Sequence, residues 1–309
     1  MCDITGLFLK NHALETELGA LFRPMLLQMS QRGPDSAGFA IYRHRVPAAQ
    51  IKVVMHSVGP SSDWAQLAAE LRASLDPDLE MIPIHSHCLM RVAAEEDRVI
   101  EQLEQSCYPV SIVSIGRHIE IYKEVGTPEE VARCFGLQEM TGSHAIGHTR
   151  MATESAVTTA GSHPFSTGND VCLVHNGSLS NHNRLRRNLI RQGAIFKTDN
   201  DTEVAARYFD VKLQQGASLE QAMSSALTEL DGFYTFCIGT SNGFAVLRDP
   251  IACKPAVMAE TDDWVAIGSE FRALAELPDI DHAEIWEPEP AVPYLWEYTT
   301  EVTAAAAQA

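Results

Sequence analysis

Cys2 follows the initiator residue in Met1-Cys2-Asp3-Ile4-Thr5-Gly6-Leu7-Phe8. A small side chain at position 2 permits methionine aminopeptidase to remove Met1. The chain would then begin with a thiol and a free α-amine on one residue. The thiolate attacks, and the amine, with an ordinary pKa of about 7.7–8.0, takes and returns a proton near neutral pH. A cysteine at this place is weak evidence alone and needs partners. Four polar clusters offer them: Gly147-His148-Thr149-Arg150-Met151-Ala152-Thr153, Gly161-Ser162-His163-Pro164-Phe165, Val174-His175-Asn176-Gly177-Ser178-Leu179 and Thr198-Asp199-Asn200-Asp201-Thr202-Glu203. Most abut an apolar run that reads as a strand. Polar groups at strand ends sit where a rigid scaffold presents its loops.

A thiol that hydrolyses glutamine needs three kinds of help. The substrate carboxylate is matched by an arginine fork, and Arg150 is the candidate. The substrate ammonium needs a carboxylate, and Asp201 fits. The tetrahedral intermediate needs donors for its oxyanion, and the Asn176 amide beside the Gly177 backbone N–H offers two. Each residue also has a blander reading. Asn-Gly is a common hairpin turn, Arg150 could be a surface ion-pair residue, and Asp199-Asn200-Asp201-Thr202 could be a helix N-cap. Their joint occurrence with Cys2, in this order, outweighs the separate alternatives.

The elements that must position these residues follow from hydrophobic spacing. Residues 3–9 read as a buried strand, and 14–29 as an amphipathic helix kinked or broken at Pro24. The loop Gln31-Arg32-Gly33-Pro34-Asp35-Ser36-Ala37-Gly38 leads into a strand at 39–42. Residues 45–140 behave as an α/β insert with its own small core: strands at 51–58, 81–92, 110–115 and 118–122, and helices at 62–75 and 95–107. A further helix opens at Thr127-Pro128-Glu129-Glu130. From Ala145 short strands (145–150, 171–175, 233–239, 243–248, 255–260, 264–268) alternate with loops and helices at 185–192, 202–214 and 219–230. The mixture indicates α/β or α+β layers rather than a regular βαβ array. The Ala-rich tail, 299–309, is expected to be frayed and disordered.

Bulk composition narrows the partners. With 309 residues, 45% hydrophobic and 21% charged, the chain can bury a sizeable core. A net charge of −18 argues against nucleic acid or an anionic membrane as the main partner. No apolar run approaches the roughly 20 residues of a membrane span, and the N-terminus lacks a signal-peptide pattern. Seven scattered cysteines without a CxxC pair suit free thiols in a reducing cytoplasm. His85-Ser86-His87-Cys88 has the look of a metal cluster, but no second cluster completes a tetrahedral site, so no metal is expected.

At these residues the sequence resembles the class II glutamine amidotransferases, whose nucleophile is an N-terminal cysteine. Arg32-Gly33-Pro34-Asp35-Ser36-Ala37-Gly38, Gly147 to Thr153, His175-Asn176-Gly177 and Asn200-Asp201-Thr202-Glu203 match the family's loops in order. Arg248-Asp249-Pro250, Lys254-Pro255 and Gly268-Ser269-Glu270 resemble its later strands. The resemblance implies an α+β fold, the four-layer αββα sandwich of N-terminal-nucleophile hydrolases. One amidotransferase domain would span 2–298, with the insert at about 45–140. It implies Cys2 as nucleophile, Asn176 and Gly177 as oxyanion hole, Arg150 on the glutamine carboxylate and Asp201 on its amine. Thr153 and His163 would line the substrate pocket, and Arg32 would orient the N-terminal region beside it.

More closely, the insert and the stretch Gly147–Glu203 look like stand-alone amidotransferase subunits of split, glutamate-synthase-like systems, the N-methylglutamate synthase type among them. That implies L-glutamine or L-glutamate as ligand and no cofactor in this chain. FMN, and with it an Fe–S cluster as a further option, would sit in partner subunits, one like glutamate synthase's FMN domain and one like its β-helix domain. One departure stands out. The family usually follows its cysteine with glycine, and here Asp3 is present. A carboxylate there is expected to crowd the nucleophile and raise the α-amine pKa, retuning the glutaminase or impairing it. An impaired, glutamate-binding or structural subunit is therefore the alternative. An N-terminal-nucleophile hydrolase for other amides ranks third, because Arg150 and Asp201 together suit an α-amino acid.

Overall fold

The structure, a computed structural model, describes residues 2–58, 63–151, 157–168 and 170–298. Its elements run β1 (Asp3–Leu9), α1 (Leu18–Gln28), β2 (Ser36–Tyr42), β3 (Ile51–Ser57), α2 (Trp64–Ser74), β4 (Glu80–Ile84), β5 (His87–Val92) and α3 (Glu96–Gln105). Then come β6 (Val110–Gly116), β7 (Ile119–Val125), α4 (Pro128–Cys134), β8 (His144–Arg150), β9 (Phe165–Gly168), β10 (Val171–Leu179), α5 (His182–Arg191) and α6 (Asp201–Gln214). The last are α7 (Leu219–Glu229), β11 (Gly232–Thr240), β12 (Gly243–Arg248), β13 (Val257–Glu260), β14 (Trp264–Gly268), β15 (Glu284–Trp286) and β16 (Tyr294–Glu297).

Strand alternation builds the layers. In β1, Leu7 and Leu9 join one core, with Phe22 and Leu26 of α1, while Ile4 and Phe8 join another, with Val174 of β10 and Phe244 of β12. The first core lies under the helices of one sheet, and the second lies between two sheets. The first sheet has the order β15-β13-β14-β1-β8-β2-β7 and the second β16-β12-β11-β10-β9. Every recorded pairing in both is antiparallel. On the far face of the second sheet, Leu173 and Phe236 pack with α5, α6 and α7 through Leu185, Phe209 and Met223. The result is the αββα sandwich.

The insert is narrower than its sequence signals. A third sheet, β4-β5-β3-β6, packs with α2 and α3 over a separate core that includes Val53, Leu67, Met90 and Val99. It occupies residues 51–116. β7 is instead the edge strand of the first sheet, and Val131 and Phe135 at α4 join the core under α1. Contacts at and beside its junction with β7 fasten this unit to the body. Lys52 Nζ of β3 reaches Glu120 Oε1 of β7 at 2.9 Å. The Asp170 carboxylate, before β10, accepts from the backbone N–H groups of Arg117, His118 and Ile119 at 2.7–2.9 Å.

Some local expectations change. The strand expected at 81–92 is a hairpin, with His85 at φ 54 in its turn. Apolar residues flank that turn and no glycine marks it, so its periodicity reads as continuous. The helix expected at 14–29 is a 3-10 segment, His12–Glu17, followed by α1, and Pro24 lies inside α1. The tail 299–309 lies outside the described residues. Among the described residues no helix is long and apolar enough to cross a membrane.

Candidate active site

β1 and β8 pair with Asp3 opposite Thr149, which carries Cys2 at the head of β1 to the end of β8, where Arg150 stands. Cys2, Arg150, His163, Gly177 and Asp201 line one cavity of about 870 Å³. Five separate segments supply these residues, so the fold brings together what the sequence scatters. Thr153 lies outside the described residues.

Asn176 and Gly177 are not a hairpin turn. They lie inside β10, opposite Thr235 and Tyr234 of β11. Gly177 holds φ at +146, and a Cβ there would sit 1.9 Å from the Phe233 carbonyl oxygen. Only glycine fits that approach. Asn176 is not in the cavity wall. It is 4% exposed, on the face of β10 that turns Cys172 and Val174 toward the first sheet.

Asp201 is both a first-turn helix residue and a cavity residue. Asn200 is the N-cap of α6, its side-chain oxygen accepting from Thr202 N–H at 2.8 Å. Asp201 Oδ2 accepts from Leu179 N–H at 2.9 Å, which ties the end of β10 to the start of α6. The turn before α6 is held by Glu203, which accepts from the backbone N–H groups of Lys197 and Thr198. The capping pattern and the site pattern therefore coincide in one motif.

Arg32 does not line the cavity. Its guanidinium reaches Asp3 Oδ2 at 3.2 Å and also contacts Glu270, which in turn pairs with Arg272 at 2.8 Å. The Asp3 side chain is fully buried and absent from the cavity wall. It lies on the opposite face of β1 from Ile4, so it does not crowd the thiol as expected. Neither Asp3 oxygen accepts a hydrogen bond among the described residues. Burial pushes its pKa up to about 6, with Arg32 pulling the other way. Burial also raises the Cys2 thiol, while a hydrogen bond from the Met151 backbone and the charge of Arg150 lower it.

Sequence reasoning gave no role to His148, His175 or Thr202, although all three stand in the quoted clusters. The Thr202 hydroxyl lies 3.1 Å from His175 Nδ1 and 3.0 Å from His163 Nε2. One hydroxyl has one proton, so it donates to one ring and accepts N–H from the other. His148 packs against His163 at 3.8 Å between centroids, the two rings tilted by 33°. Burial holds all three imidazoles below their ordinary pKa, His148 at about 3. His163 and His175 line the cavity, His148 packs behind His163, and only their three-dimensional convergence reveals it. His85 is in a turn and His87 is buried in β5. Among the described residues no three His, Cys, Asp or Glu side chains converge as metal ligands.

A glutamine amidotransferase domain family matches residues 148–276. The glutamine amidotransferase-like protein GlxB of Rhizobium meliloti (strain 1021) is 54% identical over 299 residues, spanning 96% of this chain and 99% of that one. Among solved structures, glutamine phosphoribosylpyrophosphate amidotransferase from B. subtilis superposes with a TM-score of 0.61 at 21% identity. That alignment covers 96% of this chain and 47% of the other, so this chain spans about half its length.

Proposed function

The chain belongs to the class II, N-terminal-nucleophile glutamine amidotransferases, and on that premise we propose that it is the glutaminase subunit of a multi-subunit, glutamate-synthase-like enzyme. One observation carries the glutaminase part: Cys2, Arg150, Gly177 and Asp201 line a single cavity. Arg150 pairs with the glutamine carboxylate, and Asp201 with its ammonium. Cys2 Sγ, freed of Met1 and deprotonated by the α-amine, bonds to the side-chain carbonyl carbon. The Gly177 N–H stabilises the oxyanion, and the Asn176 amide, buried beside it, would join only by turning into the cavity. The carbon–nitrogen bond breaks, and ammonia leaves with the proton from the amine. Water then attacks the thioester, the carbon–sulfur bond breaks, and glutamate departs as the thiol regains its proton.

The acceptor chemistry belongs to partners in this proposal. An FMN subunit, with an Fe–S cluster as a further component, and a β-helix subunit would use the ammonia or glutamate, as in an N-methylglutamate synthase that consumes methylamine. The cytoplasm suits the seven free thiols. A second reading, a glutamate-binding subunit without turnover, is favoured by the raised thiol pKa and by the absence of Asn176 from the cavity wall.

Glutamine hydrolysis by the chain, with and without its co-purified partners, separates the two. Turnover that Cys2→Ala removes is expected. Full activity in Cys2→Ala would sink the glutaminase mechanism. A Met1-free chain that binds glutamate and hydrolyses nothing in any assembly would establish the second reading. Intact mass of the natively purified complex reports Met1 removal and the partners together.

A further inference from the structure

Lys123 has no part in the chemistry above, yet it is 6% exposed, at the edge strand β7. Its Nζ donates to three carbonyls of one loop: Ser162 at 2.6 Å, Pro164 at 3.2 Å and Ala160 at 3.3 Å. The Phe165 ring lies 4.5 Å from the same nitrogen. The carbonyl of Gly161, between the Ala160 and Ser162 acceptors, turns the other way. It accepts from Arg150 at 3.3 Å and from Asn200 Nδ2 at 3.2 Å. Lys123 thus fixes the neighbouring carbonyls, and the carbonyl left between them holds the guanidinium assigned to the glutamine carboxylate.

Glu124, next along β7, grips the same loop from outside. It accepts from the Thr159 hydroxyl with one oxygen and from Ser86 Oγ, in the β4–β5 turn, with the other at 2.5 Å. Gly38 of β2 leaves the space for the loop to pass: a Cβ there would meet the His163 carbonyl oxygen at 2.2 Å.

We propose that Lys123 and Glu124 are a latch that positions the Thr158–Pro164 wall, and through Gly161 the Arg150 fork, for the substrate. The role for substrate rests on the glutaminase reading above. The latch itself rests on the contacts. Hydrogen bonds from one buried amine to three carbonyls are worth enough that their loss opens the loop, and an Arg150 without a fixed carbonyl binds carboxylate less well.

The test uses the full chain, Lys123→Met and Thr159→Val beside the natural sequence. Hydrogen exchange of peptides covering 157–164 is expected to rise about tenfold in K123M and less in T159V, in keeping with about 1.4 kcal/mol per decade. The KM for glutamine is expected to rise about tenfold in K123M with kcat nearly unchanged. Alkylation of Cys2 by iodoacetamide, which needs no carboxylate clamp, is expected to stay the same. Unchanged loop exchange in both variants would overturn the latch, as would a fall in kcat at constant KM. Should K123M fail to fold, T159V decides by the same exchange measurement. A natural chain that hydrolyses no glutamine removes the glutaminase reading, and loop exchange alone then judges the latch.

Discussion

Asp3 adjoins the nucleophile in sequence, yet its carboxylate faces the other side of the sheet from the cavity. There it meets Arg32 without hydrogen-bond geometry and carries a pKa raised to about 6. An acid raised in the folded state favours folding when protonated. Its stabilising effect is present at low pH and is lost as pH climbs from about 4 to about 6. Asp3→Asn removes that titration. The stability advantage of the variant over the natural chain in urea unfolding is expected to grow across this range, to on the order of 2–3 kcal/mol at neutral pH. A variant less stable than the natural chain at pH 7 would mean that the Arg32 pair outweighs the burial cost. The same residue shows what sequence could and could not supply at the site. Arg150, Asp201, Gly177 and His163 were legible because each requires a particular side chain in a particular order, and all converge. The orientation of Asp3, the withdrawal of Asn176 and the Thr202-linked imidazoles were not, because strand facing and ring stacking depend on register between distant segments.

At the scale of elements, most strands and helices were readable from periodicity, and the exceptions have a common cause. β7 and α4 share the local pattern of the insert, but β7 completes the first sheet beside β2 and α4 adds to the core under α1. Local spacing reports whether a strand forms and not which sheet accepts it. The joint between insert and body therefore rests on a feature that sequence does not mark. Glu120 of β7 is fully buried, and it accepts from Lys52, Arg43 and the Tyr122 hydroxyl. Burial lowers the Lys52 pKa while Glu120 raises it, so the lysine depends on that carboxylate for its charge. Glu120→Ala leaves an ammonium without its partner in the interior and is expected to cost about 3–5 kcal/mol in urea unfolding. Replacing both residues, as Lys52→Met with Glu120→Leu, is expected to recover most of that loss, since two apolar groups of similar volume need no partner. A loss under about 1 kcal/mol in the single variant would show that the other contacts at this joint, Asp170 with residues 117–119 and Ser86 with Glu124, hold the insert without it.

Across the whole molecule, acid stability is set by imidazoles distributed through every unit. His87 in the insert is held at about 2, and His144 and His148 in the first sheet at about 3, all by burial first. His163 and His175 move in the same direction. A histidine buried neutral contributes stability above its unfolded pKa of about 6.5 and loses it as pH falls toward the folded value. Each costs about 1.4 kcal/mol per pH unit below 6.5, so the three with assigned values alone remove about 4 kcal/mol per unit. Asp3 works against this, as do Asp210 and Glu96, whose carboxyls burial also raises. Acidification further relieves the self-repulsion of a chain with net charge −18. The imidazoles outnumber the opposing carboxyls and carry the larger shifts. A domain stabilised by about 5–15 kcal/mol would exhaust that margin within a few units below neutrality. Unfolding is therefore expected to take up several protons, with Tm dropping steeply from pH 6.5 to 5, measurable by calorimetry in buffers of different ionisation enthalpy. Because His163 and His175 line the cavity and His148 packs against His163, ligand binding and the fold should fail together on acidification. Stability that stayed level between pH 7 and 5 would mean that these rings meet water in the folded chain, and that the site is far wetter than its packing requires.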